Sequence, residues 1–413
     1  IPFEVPEGWC WCRLRDICMM LAGKSKPADQ IKSEYFEGSY PCFGGNGIRG
    51  YVDEYNQDGT FSIVGRQGAL CGNINVATGK FYATEHAVVT TLFVGIDFKW
   101  SNYILEALRL NKYATGAAQP GLSVANILNV FVPIPPTQEQ DRIGNNIDKS
   151  LKIIEVIEQE KTDLQKNIIT AKSKILDLAI RGKLVPQAPN GEPASVLLER
   201  IRAEKEKLIL QGKIKRDKKE SVIFKGDDNS YYGISLPTGW SWTILKDISF
   251  SISDGSHNPP SNKEFGVPLL SAANVNNNSI LINNASRWIT NEEWEIENQR
   301  TDIEIGDVLL TIVGSIGRSA VVETNEHFAL QRSVAVIKPC LISPFYLMRI
   351  FQAPQIQKWI NDNSKGTAQK GIYLNALSIM TVPIPPLDEQ LRIVKQISIF
   401  FEQLDLISSS LLC

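Results

Sequence analysis

The run Gly116-Ala-Ala-Gln-Pro-Gly, followed by Val132-Pro-Ile-Pro-Pro and Glu139-Gln-Asp-Arg-Ile, returns later in the chain. Its copy is Gly366-Thr-Ala-Gln-Lys-Gly, Val382-Pro-Ile-Pro-Pro and Glu389-Gln-Leu-Arg-Ile. About thirteen of twenty-eight aligned positions are identical at an offset of about 250, against roughly one in sixteen expected by chance, so the chain is a tandem duplication. The openings repeat as well: Val5-Pro-Glu-Gly-Trp is answered by Leu236-Pro-Thr-Gly-Trp. Their offset is only about 231, so the second half carries roughly nineteen extra residues. A chain duplicated in this way folds as two like units, and two like units suit a target with two parts.

At 413 residues each half is long enough to bury a core of its own. Basic and acidic residues nearly cancel, 43 against 45, so nucleic-acid binding has to come from local clusters rather than from net charge. No apolar run approaches the roughly 18 residues that span a bilayer, and Ile1-Pro2-Phe3 does not begin a basic then apolar leader, so the expected location is the cytoplasm, with no membrane partner. The 7 cysteines are odd in number and scattered, which argues against a disulfide framework. Cys10, Cys12 and Cys18 cluster without a C-x-x-C pair or a nearby histidine, so idle thiols are expected there and no metal.

Residues 1–136 read as short β-like runs broken by glycine, among them Phe61-Ser-Ile-Val-Gly, the stretch from Tyr82 to Val94, and Phe131-Val-Pro-Ile-Pro. At Thr137 the period changes. Apolar residues at Ile143, Ile147, Leu151, Ile154, Ile157, Leu164, Ile168, Ala171, Ile175 and Leu178 are spaced mostly by three and four, which predicts one long amphipathic helix over 137–182. Thr137 with Gln140 fits a capping box at its start, and Gly182 after Arg181 marks its end. About 44 residues at 1.5 Å each give a rod of roughly 65 Å. Residues 183–230 hold a loop, a second helix from Ala194 to Gln211 and a basic, then polar, linker. The second globule spans 231–386. A second rod covers 387–413, with Leu387 where Thr137 stands, and it reads as a truncated copy of the first. The fold class is therefore α+β: two mixed, mostly β globules joined by long helices as a pseudo-twofold repeat. An isolated amphipathic rod leaves its apolar stripe wet, so antiparallel pairing of the two helices is expected.

Three apparent signatures of catalysis do not hold up. Gly45-Asn-Gly-Ile-Arg-Gly spells G-x-G-x-x-G, yet Tyr51-Val-Asp-Glu-Tyr follows where a helix should begin. Asn258-Pro-Pro-Ser lacks the aromatic fourth residue of an amino-methyltransferase motif and any cofactor loop. His86 beside Glu85 has no nucleophile in context. The chain reads as non-catalytic.

The same regions suit DNA better. Arg49, Arg66 and Gln67 lie in glycine-rich turns, where a main chain can approach phosphate and a side chain can reach a base edge. Ile312-Val-Gly-Ser-Ile-Gly-Arg answers Ile63-Val-Gly-Arg-Gln-Gly, and Ala329-Leu-Gln-Arg-Ser answers Ala83-Thr-Glu-His-Ala. Arginine suits guanine, and glutamine or asparagine suits adenine. The candidate DNA-binding residues are Arg49, Arg66, Gln67, Lys80, His86 and Gln119 in the first half. In the second they are His257, Asn258, Asn274, Arg318, Gln331, Arg332, Gln369 and Lys370. For any one of them a local hydrogen bond in a turn is the plain alternative, and the set carries more weight than its members.

Taken together, these stretches resemble the specificity subunit (HsdS) of Type I restriction-modification systems. They are Pro6-Glu-Gly-Trp and Pro237-Thr-Gly-Trp, Ile63-Val-Gly-Arg-Gln-Gly and Gly306-Asp-Val-Leu-Leu-Thr-Ile-Val-Gly, both rod starts, and Leu178-Ala-Ile-Arg-Gly-Lys-Leu-Val-Pro-Gln. The resemblance implies two target recognition domains, each for one half of a bipartite asymmetric site on double-stranded DNA, with the helices as a ruler for the unread gap. It implies no cofactor on this chain. S-adenosylmethionine is expected on two modification (methyltransferase) subunits, and ATP with Mg on two restriction (translocase and nuclease) subunits.

Overall fold

The computed structural model describes residues 3–116, 120–187, 191–214, 216, 231–366 and 370–411. The chain divides into two compact units, Ile1–Glu160 and Lys161–Cys413.

The strands of the first unit are β1 (Cys10–Arg13), β2 (Cys18–Ala22), β3 (Tyr40–Gly44), β4 (Gly47–Val52), β5 (Gln57–Gly65), β6 (Ile74–Ala83), β7 (Ala87–Leu92) and β8 (Phe131–Ile134). β1 and β8 form an antiparallel ribbon, and the other six form one sheet in the order β2-β7-β5-β6-β3-β4. Only β3 and β6 run parallel, with Phe43 opposite Ala83. Ile63 and Val64 of β5 are both fully buried, although successive strand side chains face opposite ways. Val64 joins Trp100 and Leu105 of helix α1 (Phe98–Ala107), whereas Ile63 joins Phe43 and Phe81. A strand covered on both faces shows a continuous apolar run instead of alternation. The short helix α2 (Val124–Ile127) precedes β8, and the 44-residue helix α3 (Thr137–Ile180) follows it and continues into the second unit.

The second unit adds α4 (Ala194–Leu210), β9 (Ser241–Ile244), β10 (Ser249–Asp254), β11 (Val267–Leu270), β12 (Val275–Asn276), β13 (Ser279–Ile280) and β14 (Trp288–Ile289). Helix α5 (Asn291–Thr301) leads to β15 (Val308–Thr311), β16 (Ser319–Val321), β17 (Ala329–Leu330) and β18 (Val334–Pro339). The chain closes with α6 (Pro344–Gln352), α7 (Pro354–Asp362), α8 (Leu374–Ser378), β19 (Thr381–Ile384) and α9 (Leu387–Ser410). The repeat is visible in the pairing itself. β9 and β19 form the counterpart of the β1/β8 ribbon, with Ser241 opposite Ile384 as Cys10 is opposite Ile134. β10-β18-β15-β16 matches β2-β7-β5-β6, and the parallel pair β11/β17 matches β3/β6. The six-stranded sheet of the first unit is split here, because the counterpart of β6 is interrupted between Val321 and Ala329. The extra residues of the second half fall between Leu270 and Val308, where β12, β13, β14 and α5 lie.

The structure gives the repeated motifs a physical role. Gln140 is 1% exposed; its Oε1 accepts the Asp97 amide at 2.8 Å and its Nε2 donates to Pro135 O at 3.0 Å. Gln390, fully buried, does the same with the Ser343 amide at 2.9 Å and Pro385 O at 3.1 Å. Each glutamine therefore ties the first turn of α1 or α6 to the proline bend that starts α3 or α9. The motif glutamates face the motif tryptophans. Trp9 Nε1 donates to Glu139 at 3.1 Å. Trp240 lies beside Glu389, but its Nε1 makes no hydrogen bond of ordinary geometry, and Glu389 accepts from Gln187 Nε2 at 2.8 Å instead.

This overturns the capping box expected at Thr137 and Gln140. The Thr137 hydroxyl donates to Gly95 O, Gln140 is turned inward, and the amides of Glu139 and Gln140 bond to Pro136 O. Pro136 and Pro386 set the entry to both helices through their fixed φ, so Leu387 loses no cap relative to Thr137. It packs on the core of its unit instead. The other end of α3 is as expected: Gly182 at φ 62 closes it, with Lys183 N bonded to Leu178 O and Gly182 N to Ala179 O, a Schellman motif.

Helix pairing is partial. The last turns of α3 run antiparallel to α9: Lys172 pairs with Asp405 and sits over the Phe401 ring, while Gln187, just past the helix, reaches Glu389. Leu176, Ala179 and Ile180 share a core with Ile393, Ile397 and the α4 residues Leu197 and Ile201. Leu151, Ile154, Ile157 and Leu164, on the stripe expected to be covered, stay exposed. Among the described residues, no helix is long and apolar enough to cross a membrane.

Candidate nucleic-acid interface

In the first unit the glycine-rich turns converge. A β-carbon on Gly65 would lie 1.9 Å from Gly45 O, so glycine is required there by two crossing backbones rather than by room for a phosphate. Beyond this crossing, Arg66 N donates to His86 O, and Arg66 O accepts from Leu122 N. Gln67 bridges to Gly121, and Gly68 N bonds to Pro120 O. Asn73 Nδ2 donates to Asn46 Oδ1 at 2.7 Å, bringing the β3–β4 turn beside the same place. The structure thus brings together Arg66, Gln67 and His86 with the flanks of the repeated Gly116–Gly121 segment. Arg49 on β4 lies alongside Gly44. Arg49, Arg66 and Gln67 are exposed, and among the described residues neither arginine has a carboxylate partner. His86 Nε2 is 3.5 Å from Glu85. Lys80 stands apart from this group, on β6 opposite Asp58 with its ammonium over the Tyr55 ring. Gln119 lies outside the described residues.

In the second unit the same construction recurs with other residues. Ile312 N donates to Ser333 O, Ile372 N donates to Ile312 O, Val313 bridges to Gly371 and Gly314 N bonds to Lys370 O. Ile312 therefore occupies the place of Arg66, and Ser333 that of His86. The register expected from the sequence is corrected here, by three residues at Ile63/Ile312 and by one at Ala83/Ala329. The pairing Gly65–Ala87 against Thr311–Val334 fixes the true equivalence.

These elements wall a cleft of about 500 Å³ lined by Asp254, His257, Arg300, Arg332, Lys365 and Tyr373, among others. Arg332 and Lys365 are exposed in it and, among the described residues, pair with no carboxylate. Asp254 is 7% exposed and receives His257 Nε2 at 2.8 Å, while Arg300 Nε donates to its carbonyl at 2.9 Å and Arg300 Nη2 to its carboxylate.

The six remaining candidates fare differently. Asn258 is exposed beside His257, Gln331 is half-buried at the start of the loop that carries Arg332, and Lys370 is exposed. Gln369 lies outside the described residues. Asn274 is a correction: it is 4% exposed, its Nδ2 donates to Asn284 O and its Oδ1 accepts the Ser271 amide, so it closes a turn. Arg318 is half-buried and spends Nη1 on Asn276. The sequence reading missed Arg300, Lys365 and Asn46. Arg300 had a legible signal, because Thr290 and Glu293 form a true capping box that announces its helix.

Two of the three clustered cysteines are occupied internally, and Cys10 is exposed. Cys12 Sγ donates to Val132 O and Cys18 Sγ to Leu14 O, and burial pushes the two thiols up to about 11 and about 12.

Residues 6–166 and 244–411 both match the family described as Type I restriction modification DNA specificity domain. The chain belongs to that family. Two curated members show the likeness: the EcoprrI specificity subunit of Escherichia coli is 46% identical over 137 residues, 33% of this chain and 34% of that protein. The EcoBI specificity subunit of Escherichia coli is 25% identical over 302 residues, 72% of this chain and 56% of that protein. The alignments thus span about a third and just over half of these relatives' own length. Among solved structures, the HsdS subunit from Thermoanaerobacter tengcongensis superposes with a TM-score of 0.58 at 16% identity, covering 99% of this chain and 93% of that one. That likeness establishes the fold: two mixed α+β domains of similar sheet topology joined by long helices, the architecture of a tandem specificity-domain protein.

Proposed function

We propose that the chain is the non-catalytic, sequence-reading subunit of a Type I restriction-modification assembly. The observation that carries this is one glycine-rich loop crossing built in both units, with different exposed side chains beside it: Arg49, Arg66 and Gln67 in the first, and Arg332, Lys365 and Lys370 in the second. Two copies that kept one scaffold and diverged in what they present suit an asymmetric site in two parts.

On this reading residues 1–136 and 231–386 are the two recognition domains. Arg49, Arg66, Gln67 and His86 serve one half-site, and His257, Asn258, Gln331, Arg332, Lys365 and Lys370 the other. The long helices set the unread gap and dock two modification subunits, which carry S-adenosylmethionine, and two restriction subunits, which use ATP. The exposed stripe through Leu151, Ile154, Ile157 and Leu164 offers apolar area for such docking.

The test is methyl transfer from labelled S-adenosylmethionine to duplex DNA by the purified chain, with and without its modification subunit. The chain alone is expected to be inactive and to hold DNA weakly, with sequence preference appearing on addition of the partner. Adenine methylation by the chain alone contradicts the reading.

A further inference from the structure

The Asp254, His257 and Arg300 group lies at one wall of the second-unit cleft, and its donors and acceptors can be assigned atom by atom. A carboxylate only accepts, so the nitrogen of His257 that meets Asp254 Oδ2 at 2.8 Å, Nε2, carries the proton. The other nitrogen, Nδ1, is then an acceptor in the neutral ring. Arg300 gives Nε–H to Asp254 O and one Nη2–H to Asp254 Oδ1. Nη2 also lies 3.3 Å from His257 Nε2, but both are donors, so that contact is no hydrogen bond. The outer edge of the guanidinium, both Nη1 protons and the second Nη2 proton, remains without a partner among the described residues. The Arg300 and His257 side chains are about half exposed, whereas that of Asp254 is 10% exposed. A buried acid thus fixes two half-exposed side chains in one orientation each.

Two donors beside one acceptor is a specific pattern. In the major groove a G·C pair presents guanine N7 and O6 as acceptors and the cytosine amino group as donor, in that order across the groove. We propose that Arg300 and His257, both set by Asp254, read one G·C base pair of the second half-site. Arg300 donates to N7 and O6, and His257 Nδ1 accepts from the cytosine amino group. Asp254 touches no base and acts as a positioning residue. Its charge offsets that of Arg300, so this arginine contributes orientation more than attraction for phosphate. Arg332 and Lys365, in the same cleft without a carboxylate, are left to neutralise phosphates.

Among its described residues the first unit has no such device. Ser25 stands where His257 does, since Lys24 N bonds to Ala83 O as Ser256 N bonds to Leu330 O. Helix α5, which carries Arg300, belongs to the extra residues of the second half. The inference rests on the reading of the chain as a duplex-DNA reader, and its test separates the two.

The experiment uses the full chain in its methyltransferase assembly. The preferred site is first selected from random duplexes, and binding is then measured on duplexes carrying each base pair at each position, over a range of salt. For Arg300→Ala and Arg300→Lys the expected result is a loss of roughly 5- to 150-fold on the preferred site. Discrimination should disappear at one G·C position, and the salt slope of Arg300→Lys should be unchanged. His257→Ala should weaken discrimination at that same position and nowhere else. Arg332→Ala should instead lower binding to all duplexes alike and reduce the salt slope by about one. Base preference intact at every position in both Arg300 variants, or an equal loss on all duplexes, overturns the assignment. A wild-type assembly that selects no duplex at all overturns the DNA reading beneath it.

Discussion

Gln140 and Gln390 make the same pair of hydrogen bonds in the two units, each accepting a helix-start amide and donating to the carbonyl of the first proline in a Pro-Pro bend. The repeated blocks are therefore rigid clasps, and the need to satisfy these backbone groups, three of them in buried bonds, explains why the two copies stayed alike.

Removing a clasp is costly. Gln390→Leu leaves the Ser343 amide and Pro385 carbonyl buried without partners, at about 1–3 kcal/mol each. Urea unfolding followed by far-UV circular dichroism should show a loss of roughly 2–6 kcal/mol. An unchanged midpoint would mean that water or a neighbour replaces the amide.

Gly182 and Gly212 both follow a helix end with positive φ, 62 and 70, but only the first is crowded. A β-carbon at Gly182 would meet Pro237 Cγ at 2.4 Å, whereas one at Gly212 meets nothing within 4 Å. Gly212→Ala should cost about 1 kcal/mol from the left-handed backbone alone. Gly182→Ala should cost at least about twice that, because Pro237 or the turn must also move. Equal costs in urea melts would contradict the close approach.

Burial alone would raise the Asp177 carboxyl, but bonds from Arg181 at 2.6 Å, from Lys174 at 3.0 Å and from Gln355 prevail and hold it below the usual carboxylate range. A depressed carboxylate stabilises fully above its unfolded value of about 3.9, and the contribution is lost as pH falls through the folded value. Asp177→Asn should therefore cost about 2 kcal/mol at pH 7. The gap from wild type should narrow only below about pH 4. A constant gap down to pH 2 would show that the loss is packing and not charge.

Arg66 lies only in the first-unit loop cluster, so Arg66→Ala should relax sequence preference in one half-site and leave the other untouched. Selection from random duplexes by the variant assembly reads this out. Equal loss at both half-sites would assign the side chain to structure or phosphate.

What was legible in the sequence follows from where the fold uses strong local chemistry. The start of α3 at the proline bend, its end at Gly182 and the extent of α4 could all be read, because proline geometry, a left-handed glycine and three-to-four spacing leave marks in the residues themselves. The strand register was not legible. Glycines recur three apart in Ile63-Val-Gly-Arg-Gln-Gly and again in Ile312-Val-Gly-Ser-Ile-Gly, so a slip of three residues still aligns glycine with glycine. The end of β5, from Ser62 to Gly65, and all of β15 are buried on both faces and offer no alternation to correct the slip. Asn274 was mistaken for a DNA contact because a buried turn-closing amide and an exposed reading amide have the same letter. Arg300 was missed because its helix has no counterpart in the first half, and comparison of the repeats passes over what only one copy has.

The central claim is that two like units read the two parts of one asymmetric DNA site. The most direct measurement is the map of methylated adenines in a genome where this chain is the only source of specificity. The account predicts one bipartite motif, two different half-sites separated by a fixed run of unread bases. A continuous palindrome would contradict it.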